Sequence, residues 1–153
     1  MKLYFLRHGE ADWPNWSKSD DERPLTERGK EEMKKIAAFL ERMELSLDQI
    51  VTSPLPRAKQ TAEIVAERFK MKLREDKNLE PGFDSAGLQG ILEKYPGEHV
   101  MIVGHEPDFT KTISALTGAS LKLSKAGLVL IDLDRTAMRG RLLWLFPPKV
   151  AKV

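Results

Sequence analysis

The chain has 153 residues, 41% of them hydrophobic, which supports one well-buried core and an expected single domain over 1–153. Its 25 basic and 23 acidic side chains are interspersed and leave a formal charge of only +2, which argues against bulk attraction to nucleic acid or membrane. Cysteine is absent, which excludes disulfides, thiolate metal sites and cysteine nucleophiles; no apolar run nears the roughly 20 residues that span a bilayer, and the start lacks a leader's apolar region, so a cytoplasmic location is expected.

Along the chain, strand-like and helix-like patterns alternate, as expected of βαβ units with a largely parallel sheet. Residues 2 to 6 read as a first strand, and 10 to 24 as a polar loop carrying Trp13, Pro14, Trp16 and Pro24. Thr26 is placed to cap a helix running to about Met43, with Met33, Ile36, Ala37 and Leu40 on one face. A second strand is expected at 49 to 52. From Arg57 to Phe69, the positions Ala58, Thr61, Ala62, Val65 and Phe69 keep helical spacing, with Pro56 suited to the first turn. A weak third strand at 72 to 75 is followed by the irregular Glu80-Pro81-Gly82 and a short helix near 86 to 95, ended by Pro96-Gly97. Residues 99 to 103 read as a buried strand and 107 to 117 as a helix closed by Gly118. Two apolar runs, 127 to 133 and 141 to 146, then read as an antiparallel hairpin at the sheet edge. The fold class expected is a three-layer α/β/α domain with a mostly parallel central sheet.

Three segments at strand ends carry the chemistry: Arg7-His8-Gly9, Ser53-Pro54-Leu55-Pro56-Arg57 and Gly104-His105-Glu106-Pro107. Open α/β sheets bind ligands at the carboxyl ends of their strands. Two arginine forks there match the oxygens of a phosphate dianion. A neutral imidazole held through one ring nitrogen can attack phosphorus with the other, giving a phosphohistidine intermediate. A second histidine, protonated and facing the first, would stabilise charge on the equatorial oxygens without a metal. Each piece also has a plain structural explanation. Arg57 suits a solvated surface position, His105 a satisfied core histidine, and Glu106 the positive end of the following helix. The conjunction at one sheet end favours the chemical reading. His99 precedes a strand at the other end and is expected to be structural or exposed, so neither a metal centre nor a cofactor is expected.

The runs Leu6-Arg7-His8-Gly9-Glu10, Arg23-Pro24-Leu25-Thr26-Glu27-Arg28-Gly29, Ser53 to Ala62 and Val103-Gly104-His105-Glu106-Pro107 resemble the histidine phosphatase (phosphoglycerate mutase-like) superfamily, and the short chain is most similar to its SixA-type phosphohistidine phosphatases. The resemblance implies that His8 is the nucleophile, that Arg7 and Arg57 bind the phosphoryl group with His105 completing the pocket, and that the Gly9 carbonyl orients His8. It further implies a two-step reaction releasing inorganic phosphate. For a proton donor, Glu80 and Glu106 occupy the two places where superfamily members carry a carboxylic acid, while the SixA-type branch is thought to manage without one. Imidazole leaves more readily than an alkoxide, so a phosphoramidate substrate demands less acid catalysis.

With only Ala11 to Glu22 long enough for a lid, the site is expected to be open, as suits a phosphohistidine displayed on another protein. Trp13 and Trp16 stand either as a rim that touches such a partner or as a local hydrophobic plug. The leading reading is a protein phosphohistidine phosphatase. A phosphomonoesterase acting on a small phosphorylated metabolite is the alternative, with a phosphoglycerate mutase and a non-catalytic phosphoprotein-binding module less favoured.

Overall fold

Side chains alternate along each central strand, and that alternation sets the layers. The structure, a computed structural model, describes residues 1–152. Strand β1 (Lys2–Arg7) sends Tyr4 and Leu6 to one face and Leu3 and Phe5 to the other. In β4 (His99–Gly104), Met101 and Val103 share the first face, and Val100 and Ile102 the second. Helices α1 (Glu27–Arg42) and α2 (Pro56–Phe69) cover the first face. Helices α3 (Ser85–Lys94) and α4 (Asp108–Thr117) cover the second. The result is a three-layer α/β/α arrangement.

The sheet has six strands in the order β3-β2-β4-β1-β5-β6. β1, β2 (Gln49–Thr52), β3 (Leu73–Glu75) and β4 run parallel, whereas β5 (Leu128–Asp134) is antiparallel to both β1 and β6 (Arg139–Phe146). The closing hairpin therefore lies at the edge, as expected, with β5 docked on β1. Boundaries differ from expectation by a residue or two at most helix and strand ends. A departure nearer the strand ends is a 3₁₀ turn, Asp20–Glu22, inside the stretch read as loop, where the Ser19 hydroxyl accepts the Asp21 N–H. No helix among the described residues is long and apolar enough to cross a membrane.

Local signals account for the helix starts. Thr26 accepts the Gly29 N–H at 3.0 Å, and Asp84 accepts the Gly87 N–H at 3.0 Å. Pro56 occupies the first turn of α2. Gly118 closes α4 in the left-handed region at φ 76°, where glycine costs little. Gly29 has a different reason. A Cβ built there would stand 2.2 Å from the Glu10 carbonyl oxygen, so glycine lets α1 press on the backbone that follows His8-Gly9. In an open helix Gly→Ala would gain roughly 1 kcal/mol. Here the sign reverses: Gly29→Ala is expected to cost about 1–3 kcal/mol in urea denaturation, and an unchanged or higher midpoint would refute this close approach.

Candidate active site

Parallel pairing of β1 with β4 sets Arg7 beside Gly104, so His8 and His105 emerge side by side. The chain after β1 goes to α1 on one face and the chain after β4 to α4 on the other, which opens a crevice at the carboxyl ends of these strands. Backbone bonds carry the ladder one step further. The His8 N–H donates to the Gly104 carbonyl at 3.1 Å, the Ser53 N–H to Val103 at 3.0 Å, and the Ala126 N–H to His8 at 3.0 Å. All three segments singled out in the sequence are thereby fixed to one rim. Gly104 completes the fit, since a Cβ there would lie 2.8 Å from the Phe109 ring of α4.

His8 is only 7% exposed and His105 only 3%, with ring centroids 5.4 Å apart. The His8 Nδ1–H donates to its neighbouring Gly9 carbonyl at 2.7 Å, leaving the lone pair on Nε2. Thr61 ties this turn to α2, accepting the Gly9 N–H at 3.0 Å and donating to the Arg57 carbonyl at 2.7 Å. The His105 ring bonds Ser53 Oγ through Nε2 at 2.8 Å.

The arginines close the site. Arg57, 5% exposed, donates from Nη1 to the Asp20 carbonyl at 3.0 Å, and its Nη2 stands 3.8 Å from the Asp20 carboxylate. Arg7 donates from Nη1 to the Leu123 carbonyl at 2.9 Å. Among the described residues, three buried polar side-chain atoms have no partner: Arg7 Nε, Arg57 Nε and His105 Nδ1. Buried polar atoms are ordinarily satisfied. All three belong to residues singled out in the sequence, and buried nitrogens of this kind at one sheet end are groups that an anion could engage.

Electrostatics follow from this crowding. Burial, aided by Arg57, Arg7 and Arg23 and opposed by the Gly9 carbonyl bond, pulls His8 from the ordinary 6.5 down to about 4. Burial, then His8, Arg57 and Arg7, pulls His105 from 6.5 down to about 3, with Asp20 opposing. Burial and the two guanidiniums thus favour the neutral His105 ring, whereas the protonated ring expected from the sequence is one that faces a phosphate dianion, whose charge acts in the opposite direction. On unfolding, both rings regain ordinary affinity for protons. Stability is therefore full above about pH 6.5 and is lost as pH falls toward 4 and 3. Between pH 7 and 5 the wild type is expected to lose roughly 3 kcal/mol more in urea unfolding than a His8→Gln/His105→Gln double variant. Parallel losses would contradict the low values.

The remaining sequence candidates fall out differently. Glu106 accepts the Thr110 N–H at 2.8 Å with one carboxylate oxygen, and the Thr110 hydroxyl bonds the other, so the helix-start explanation of this residue holds. Glu80 ends a 3₁₀ turn, Lys77–Leu79, that approaches Gly104, and its carbonyl accepts the Phe83 N–H at 3.2 Å. Trp13 and Trp16 stack loosely, 6.1 Å apart, each indole N–H bonded within the loop at 2.8 Å to the Pro24 and Ser19 carbonyls respectively. With Asp12, Lys18, Asp20 and Arg23 they line a shallow hollow of about 500 Å³. His99 pairs with Asp48 at the far end of β4, as expected.

Two features escaped the sequence. The 3₁₀ turn folds onto Arg57 through Asp20, a contact not expected of a polar loop. Arg23 joins that contact, donating from Nε to Asp20 at 3.0 Å and from Nη1 to the Ala11 carbonyl at 2.5 Å. The acidic run Asp20-Asp21-Glu22 directly before Arg23 was the available signal.

Comparisons with known proteins show the family and the fold. A family model described as histidine phosphatase superfamily (branch 1) matches residues 3–81. An uncharacterised protein of Picosynechococcus sp. is 37% identical over 141 residues, covering 84% of this chain and 83% of its own. The phosphohistidine phosphatase SixA of Escherichia coli K12 is 30% identical over 113 residues, 70% of this chain and 68% of its own. A solved structure of the protein histidine phosphatase SixA complexed with tungstate superposes with a TM-score of 0.85 at 25% identity, covering 98% of this chain and 99% of that one.

Proposed function

The chain belongs to the histidine phosphatase superfamily and is a phosphatase, and from that premise we propose that it hydrolyses protein phosphohistidine through a covalent phosphoryl group on His8. The observation that carries this reading is the pairing of His8 with the cradle. Its Nδ1–H is committed to the Gly9 carbonyl, which leaves Nε2 as the nucleophile, while Arg7, Arg57 and His105 each hold an unpartnered buried nitrogen beside it. Tungstate, a phosphate-like oxyanion, bound to a structural relative supports an anion site of this kind.

In the first step, His8 Nε2 forms a bond to phosphorus as the substrate's phosphorus–nitrogen bond breaks, and the leaving imidazole takes a proton from solvent. Arg7 and Arg57 hold the equatorial oxygens, whose charge grows in the transition state. In the second, water attacks the phosphorylated His8 and inorganic phosphate departs, with the neutral ring restored. Burial, with Arg57, Arg7 and Arg23, lowers His8 to about 4, which favours the unprotonated, nucleophilic ring at neutral pH.

Glu106 is occupied by Thr110, which favours a substrate whose leaving group needs little acid catalysis. A direct comparison tests the substrate class. The kcat/KM for a phosphohistidine protein is expected to exceed that for an alkyl phosphate such as phosphoserine by roughly 10²-fold, and Glu80→Gln and Glu106→Gln are each expected to change it by less than about 3-fold. Efficient ester hydrolysis that collapses in either variant would instead identify a small-molecule phosphomonoesterase.

A further inference from the structure

Ser53 is fully buried at the end of β2, and its hydroxyl meets two groups. Oγ accepts the Leu55 N–H at 3.2 Å and lies 2.8 Å from His105 Nε2. A hydroxyl has one proton to give, and a buried one needs an acceptor. Among the described residues, Ser53 Oγ makes no hydrogen bond besides these two. If Nε2 carried the ring proton, Ser53 would accept twice and its own proton would be stranded. The opposite arrangement satisfies every group: Ser53 O–H donates to Nε2, and the ring proton sits on Nδ1.

We propose that Ser53 is a positioning residue that fixes neutral His105 in its Nδ1–H tautomer, so that the ring donates a hydrogen bond to the transferring phosphoryl group. The role rests on the phosphoryl site described above. His105 Nδ1 is the ring nitrogen with no partner, and the ring lies against His8 at the crevice. The charged and titratable groups facing it are His8 at the end of β1, Arg57 on α2, Arg7 on β1 and Asp20 in the first loop. In the other tautomer, Nδ1 would present a lone pair to an anionic oxygen, and a contact that should stabilise the transition state would repel it. Histidine in water prefers the proton on Nε2, so the serine reverses the intrinsic preference. The neutral donor also complements the two arginines: they supply charge, and the imidazole supplies direction.

The tautomer is read directly from ring-nitrogen chemical shifts in the ¹⁵N-histidine-labelled wild type at pH 7. The expected result is a His105 with protonated Nδ1 and unprotonated Nε2; a proton on Nε2 would overturn the proposal. In Ser53→Ala the proton should move toward Nε2, and kcat should fall roughly 10- to 100-fold, the range usual when a partner that orients a functional imidazole is removed. Because that change also removes the acceptor for Leu55, the same substitution is made in a His105→Ala background. There it should cost less than about 2-fold. Equal losses in both backgrounds would show that Ser53 acts on the fold rather than through His105, and would overturn the role. A protein with the expected tautomer but no phosphatase activity would sink the hydrolytic reading while leaving the assignment of the proton intact.

Discussion

Replacing His8 with alanine is expected to lower phosphate release from a phosphohistidine protein at least 10⁴-fold, with chelator present throughout. The ring is held by its neighbours and contributes little else that could explain such a loss. Its Nδ1 is anchored to Gly9 within a turn that Thr61 ties to α2, so the methyl of alanine leaves the backbone bonds of the turn in place. Removing a buried ring that burial forces to stay neutral also relieves an acid-sensitive strain on stability. The variant should therefore fold, and should be less sensitive to pH 5 than the wild type. Activity within 10-fold of wild type would mean that another group attacks phosphorus.

Arg57→Ala is expected to reduce kcat by roughly 10²–10³-fold, the usual scale for deleting one preorganised donor to a developing oxyanion. The buried guanidinium faces the crevice with Nε unpartnered, while Nη1 and Nη2 engage Asp20. Its charge also lowers the proton affinity of both histidines. The acid limb of the rate profile should accordingly shift upward in pH in the variant. Arg57→Lys should recover part of the loss, since an ammonium restores charge without the planar fork. A kcat unchanged in Arg57→Ala would place this residue outside the site, and an unshifted acid limb would remove its electrostatic link to His8.

The layers and the strand-end placement of the candidate residues were legible because their signals are local. Alternation in Leu3 to Leu6 and Val100 to Val103, Pro56 at the start of α2 and Gly118 at the end of α4 each report on a few adjacent residues. Arg7-His8-Gly9 and Gly104-His105 could be placed at strand ends for the same reason. What local pattern does not encode is register across the sheet. The pairing of Arg7 with Gly104 fixes the distance between the two imidazoles, yet the partners are far apart in sequence. Ser53 and His105 meet only through that register, as do Gly9 and Thr61. The low proton affinity of His105 was not legible on these grounds, since it depends on burial and on the nearby His8, Arg57 and Arg7. Gly29 is a further case: its place inside a good helix conceals a contact with Glu10 that only the packed loop reveals. The first loop read simply as polar, but Asp20 finds Arg57 and Arg23 and ties the 3₁₀ turn to α2.

The central claim is that the phosphoryl group passes through His8, and a single-turnover rapid-quench reaction with a ³²P-labelled phosphohistidine protein tests it most directly. The predicted result is transient label on the chain that is stable in base, labile in acid and confined to the peptide containing His8. Complete turnover with no label on the chain at any time, or the same label in His8→Ala, would contradict it.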